Sequence, residues 1–185
     1  MNSEKMTAFI ADGGLDEKLT YLYGRDAVEF QKKRYTDAVN EFAAIYGSDR
    51  EISLYSVSGR SELSGNHTDH NHGCVIAASI DLDIIAVASA RSDTTIRVKS
   101  EGYPEDCLDF AKYSSPQPEF FGKSLSLIAG MCAGFLKNGH KVGGFDAYTT
   151  SNVLKGSGLS SSAAFEDMIG NILSHMYNDG KVDNG

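Results

Sequence analysis

The sequence predicts an α/β (α+β) domain in which helices and strands interleave. Three observations carry that expectation. Tyr35, Val39, Phe42 and Tyr46 recur at helical spacing and share one face. Runs rich in Val, Ile and Ala, the longest from Cys74 to Ala90, have strand composition. Two later segments return to helical period, one with Leu125, Ile128, Ala129 and Cys132, the other with Phe165, Met168, Ile169, Ile172, Leu173 and Met176.

Taken in order, residues 16–46 are predicted helical, with Gly47 as the stop. Glu51–Val57 alternates through Ile52 and Leu54 and is predicted a strand. Ser58–Gly73 is polar and rich in Gly and His, hence a loop. Residues 74–90 form one long strand or two, and 93–100 adds Thr95, Ile96 and Val98 as a further strand. Glu101–Glu119 holds Pro104, Pro116 and Pro118 and is predicted to be loop. A helix is expected over 121–136, a strand over 145–153, a Gly/Ser turn over 154–162 and a helix over 163–177. The tail from Asn178 is polar.

Composition narrows the functional classes. The 185 residues carry 17 Lys+Arg against 25 Asp+Glu, a net charge of −8. An acidic surface disfavours phosphate backbones and anionic lipid, so neither nucleic acid nor membrane is expected as a partner. No run approaches the roughly 18 apolar residues that a membrane span requires. Cys74, Cys107 and Cys132 are odd in number and widely spaced, which fits reduced thiols and a cytoplasmic location. Cys132 lies on an apolar helical face and is expected in the core, while His140 and His175 are expected near the surface.

Two polar segments carry chemistry. The first is Lys155-Gly156-Ser157-Gly158-Leu159-Ser160-Ser161-Ser162-Ala163-Ala164, between a predicted strand and a predicted helix. Glycines there allow close backbone approach. The first helical N–H groups lack intrahelical acceptors, and the helix dipole adds about half a positive charge. Such a turn suits a phosphate group. It also suits a plain serine cap with no ligand. The second segment is Gly59-Arg60-Ser61-Glu62-Leu63-Ser64-Gly65-Asn66-His67-Thr68-Asp69-His70-Asn71-His72-Gly73. Its histidines and Asp69 have the composition of a metal site, but they crowd too closely for one backbone to converge them all on a single ion. Their donors and acceptors also suit a polyhydroxylated ligand, and Arg60 suits an anion.

Together the two segments resemble the signatures of the GHMP kinase superfamily, and within it the galactokinases. The first signature runs close to G-R-x-N-L-I-G-E-H-T-D-Y-N-x-G, which this chain matches at Gly59, Arg60, Leu63, Gly65, His67, Thr68, Asp69, Asn71 and Gly73. The second runs close to G-G-G-L-S-S-S-A and is matched by Gly156–Ala163 with Ser157 as the departure. The resemblance covers residues 20–178. It implies an N-terminal kinase domain like domain 2 of ribosomal protein S5, a mixed sheet with packed helices, and a C-terminal ferredoxin-like domain absent from this sequence.

The roles that follow are implied by the resemblance. Arg60 stabilises charge at the reacting hydroxyl. Glu62, Asn66, His67 and Asp69 surround the sugar. Gly156, Ser157, Gly158, Leu159, Ser160, Ser161 and Ser162 hold the phosphates of ATP, and Ser162 ligates magnesium. The reaction would transfer the γ-phosphoryl group of ATP to the anomeric hydroxyl of galactose or a related sugar. Asn66 stands where the family has Glu, Glu62 where it has Asn, His70 where it has Tyr and Ser58 where it has Pro, and Asn66 bears on sugar preference. The family's catalytic Asp and acidic magnesium ligand fall beyond the matched segments, so residues 1–185 alone are expected not to phosphorylate sugar. The implied division is a helical segment over 1–50, the sugar- and ATP-binding domain over 51–178 and a tail over 179–185, with the missing C-terminal domain as intramolecular partner. Two other functions fit the same residues: a non-catalytic sugar and ATP sensor, and a metal-binding module on the histidine loop.

Overall fold

The structure is a computed structural model that describes residues 1–65, 68, 71–113, 117–153 and 158–182. Five strands form one mixed sheet in the order β1-β2-β5-β3-β4. They are β1 (Ser53–Ser64), β2 (Ile76–Ala90), β3 (Thr95–Ser100), β4 (Glu105–Asp109) and β5 (Phe145–Ser151). β3 runs parallel to β5, and the other neighbours are antiparallel. Helices α1 (Ser3–Ala11), α2 (Asp16–Tyr23) and α3 (Val28–Tyr46) cover one face. Helices α4 (Ser124–Lys137) and α5 (Ser161–Tyr177) cover the other.

A strand exposes alternate side chains to opposite faces. In β2, Ile85 and Val87 accordingly join Ile10, Leu19, Val39 and Phe42 beneath α1–α3. Ile84, Ala86 and Ala88 point the other way, into a core with Ile128, Cys132, Met168, Ile169 and Leu173. Burial on both faces explains why Ile84–Ala88 is a continuous apolar run rather than an alternating one, whereas Ile76–Leu82 is exposed or half-buried. Cys132 lies in this core as expected, and burial pushes its thiol up to about 12.

The expected mixed α/β architecture is present, with three differences in its elements. The 16–46 helix breaks at Gly24, followed by a short 3₁₀ turn, Arg25–Ala27. β1 extends through the predicted loop as far as Ser64, because Arg60, Ser61, Glu62 and Ser64 pair with Ser79, Ala78, Ala77 and Ile76. Main-chain pairing holds this polar hairpin without an apolar alternation that the sequence could display. The proline-bearing stretch 101–119 contains β4 and a 3₁₀ turn at Pro118–Phe120. β4 is an outer strand with Leu108 as its only buried residue, so its period is invisible in the sequence. Helix α1 lies inside the 1–50 segment that the resemblance implies is helical, and it anchors itself through Met6 and Ile10, one turn apart.

Candidate functional site: a hairpin and a helix start that touch

β5 ends at Ser151, whose hydroxyl accepts a hydrogen bond from the Val153 amide at 3.0 Å. The neighbouring Asn152 amide donates to the Asp83 carbonyl at 2.9 Å, tying the exit of β5 to β2. The chain is described again from Gly158. Ser160 takes a left-handed conformation with φ of 58°, and α5 begins at Ser161. Ser160 is the residue before the helix, yet its side chain makes no capping hydrogen bond. The plain serine-cap reading therefore does not describe this helix start. The Ala164 amide returns to the Ser160 carbonyl at 3.0 Å, and the amides of Ser161, Ser162 and Ala163 have no intrahelical acceptor.

These residues border an open cleft of about 720 Å³. Ser161, Ser162 and Phe165 form its α5 wall, Thr150 lies at the end of β5, and Tyr103 and Lys123 stand on the far side. The Thr150 hydroxyl donates to the Glu101 carboxylate, which also faces the cleft. Helix-start amides that lack intrahelical acceptors, hydroxyls and a lysine beside an apolar wall suit a ligand with an anionic end and an aromatic body.

Arg60 is placed from the other side. Its amide donates to the Leu159 carbonyl at 3.2 Å, joining the hairpin to the turn before α5. Gly59 permits this approach: a Cβ there would lie 3.2 Å from the Leu159 oxygen and 3.1 Å from Val153 Cγ2. The Arg60 side chain is half-buried, and its Nε is buried without a hydrogen-bond partner. Glu62 follows on β1, opposite Ala77. Past Gly65, Thr68 organises the hairpin end: its hydroxyl donates to the Gly65 carbonyl at 2.8 Å, and its own carbonyl accepts from the Asn71 and Gly73 amides, both at 2.9 Å.

Thus Arg60, Leu159 and the α5 start meet at one place, and Gly158 to Ser162 lie along the approach to it. Asn66, His67, Asp69, Gly156 and Ser157 lie outside the described residues, as does His70 of the histidine loop. Among the described residues, no group of three His, Cys, Asp or Glu could hold a metal ion, and no helix is long and apolar enough to cross a membrane.

Residues 40–90 match the family model described as the galactokinase galactose-binding signature. The galactokinase of Clostridium tetani (strain Massachusetts / E88) is 32% identical over 146 residues, which is 77% of this chain and 36% of that protein. The chain resembles the galactokinases. A galactokinase of Lactococcus lactis subsp. lactis (strain IL1403) is 30% identical over 141 residues, 75% of this chain and 35% of that protein. The crystal structure of Lactococcus lactis galactokinase complexed with galactose superposes with a TM-score of 0.66 at 27% identity, covering 78% of this chain and 37% of that one. The mevalonate kinase of Methanococcus jannaschii shares the fold, with a TM-score of 0.57 at 18% identity over 69% of this chain and 41% of that one. The galactokinase-like chain spans about a third of the length of the relatives it matches.

The sequence reading passed over one group beside this site. Arg34 of α3 and Asp83 of β2 form a buried ion pair, with Nη1 to Oδ1 at 2.6 Å. Asp83 Oδ2 also accepts from Ser56 Oγ at 2.6 Å and from the Tyr23 hydroxyl. Burial, the neighbouring Tyr35 and the bond to Asp83 all push the Tyr23 phenol upward, so it remains a donor at any ordinary pH. The available signal was a carboxylate set inside the apolar run 74–90, where an unpaired charge has no place.

Proposed function

We propose that this chain is the sugar- and ATP-binding part of a galactokinase-like sugar 1-kinase of the cytoplasm, acting on galactose or a related sugar. The observation that supports this reading best is the hydrogen bond from the Arg60 amide to the Leu159 carbonyl. It brings the hairpin assigned to the sugar against the helix start assigned to the phosphates, as phosphoryl transfer between two bound substrates requires.

In this reading the Gly156–Ser162 turn and the first α5 amides receive the phosphates, and the apolar wall of the cleft receives the nucleoside. Glu62, Asn66, His67 and Asp69 orient the sugar hydroxyls. The Arg60 guanidinium, with its buried Nε unpartnered, stabilises the charge on the transferring group. Magnesium would be held by the Ser162 hydroxyl together with oxygens of the nucleotide, since magnesium commonly uses few protein ligands and the substrate's phosphates. That ion would neutralise phosphate charge.

Calorimetric titration of the chain with ATP, with and without magnesium, and with galactose tests this assignment. ATP is expected to bind and to be weakened by Ser162→Ala mainly when magnesium is present. Asp69→Ala is expected to weaken galactose binding at least tenfold and to leave ATP binding intact. Absence of binding for both ligands, or equal loss of both in Asp69→Ala, would overturn the reading.

A further inference from the structure

The sheet forks at Asp83. The β1–β2 ladder is regular through Ser58↔Asp83, then shifts register and resumes at Arg60↔Ser79. The β2–β5 ladder ends one residue away, at Ile84↔Ser151. Beyond this point β2 continues in its ladder with the Arg60 hairpin while β5 gives way to the chain toward the α5 start, and the two arms meet again at the Arg60–Leu159 hydrogen bond. Among the described residues, only single main-chain bonds join the two arms between the end of the β2–β5 ladder and the Arg60–Leu159 contact, so side chains at the branch share in fixing their spacing.

Arg34 supplies that constraint. Its Nη1 holds Asp83 Oδ1 at 2.6 Å, and its Nη2 faces two backbone carbonyls, Asp83 at 3.2 Å and Thr150 at 3.4 Å. The Asp83 carbonyl also receives the Asn152 amide, and the Asp83 side chain receives Ser56 of β1. One planar cation thus spans β2 and β5, and its carboxylate partner reaches β1. Both side chains are buried, at 8% and 3% exposure, so solvent does not loosen the contact. A planar fork with fixed donor directions suits this task, and a lysine ammonium, a single point of charge, does not.

We infer that Arg34 and Asp83 are positioning residues that set the spacing between the Arg60 hairpin and the phosphate-binding helix start. Neither touches the cleft; they act through the strands that carry it. This inference rests on the functional reading given above.

The test separates positioning from simple stabilisation. Replacing a buried ion pair by apolar residues of similar volume is often neutral or stabilising. The double variant Arg34→Met/Asp83→Leu is therefore expected to melt at or above the wild-type temperature while binding ATP at least tenfold more weakly. Arg34→Lys, which keeps the charge beside Asp83 but cannot span both carbonyls, is expected to bind ATP at least threefold more weakly. Wild-type ATP affinity in a folded double variant would overturn the inference. Should the double variant not fold, Arg34→Lys decides: wild-type affinity there overturns the inference, and weakened affinity with an unchanged melting temperature supports it. A wild-type chain that does not bind ATP would instead overturn the functional reading, and the inference with it.

Discussion

Asp83 and Asp146 lie near opposite ends of the central β2–β5 pair, and both are buried, at 2% and 0% exposure. Asp146 is surrounded. Arg50, Arg91 and Arg97 all converge on its carboxylate, with Arg91 at 3.1 Å to both oxygens, and Arg91 is held in turn by Asp93. Arg97 also lies over the Tyr46 ring, 5.0 Å from its centroid. Each guanidinium there is answered by a carboxylate. Asp83 is satisfied as completely, but just beyond it the β2–β5 ladder ends, Arg60 Nε has no partner and three helix amides have no intrahelical acceptor. The same device, a buried carboxylate holding guanidinium, closes one end of the sheet and holds the other end open.

That contrast can be broken most directly at Asp146. Asp146→Ala leaves three guanidinium groups around an empty position and is expected to cost about 3–5 kcal/mol of stability by urea denaturation, with ATP affinity of the folded protein unchanged. A loss under 1 kcal/mol would mean that the closed end is not held by charge. At the open end, Gly65 has φ of 122°, and a Cβ there would fall 2.7 Å from Val75 Cα and 2.8 Å from the Cys74 carbonyl oxygen. Because the obstructing atoms include backbone, Gly65→Ala is expected to cost about 1–3 kcal/mol, and a neutral result would show that the hairpin end relaxes freely.

Acid should distinguish the two ends more gently. Burial acts to raise Asp146, but the hydrogen bonds from Arg97 and Arg50 and the charge of Arg50 outweigh it and hold the carboxyl below its ordinary value. A folded value below the unfolded one gives stability that is complete above about pH 4 and is lost as pH falls through the folded value. Asp146→Asn should flatten this acid limb by up to about 1.4 kcal/mol per pH unit, and an unchanged slope would assign the limb to other carboxyls. The smallest effect is expected at Arg60, whose guanidinium Nε is unpaired. Arg60→Ala should move stability by no more than about 0.5 kcal/mol, and a larger loss would show a structural role that the open end is not expected to have.

How much of this was legible depended on which atoms carry each feature. α5 declares itself through Phe165, Met168, Ile169, Ile172 and Leu173, because helical burial writes its period into side chains. Both signature segments were visible as motifs, since Gly59, Arg60, Gly158 and Ser162 are particular residue types at particular spacings. Their meeting was not visible, because it is made by an amide and a carbonyl that any residue could supply. β4 and the outer half of β1 were missed for the same reason: main-chain pairing forms them, with little apolar alternation to announce it. Asp83 stood out within its apolar run, but its partner Arg34 is 49 residues away on a helix where Glu29, Lys33, Asp37 and Glu41 are exposed.

The outer strand β4 has one more effect, on how copies of the molecule meet. An exposed edge offers unpaired main-chain groups to any passing strand. Here Glu105, Asp106 and Asp109 put three carboxylates into five residues, on a chain whose net charge is already −8. A second copy approaching edge to edge would bring like charges together before any ladder could form, so the composition that hides this strand from prediction also opposes pairing along it.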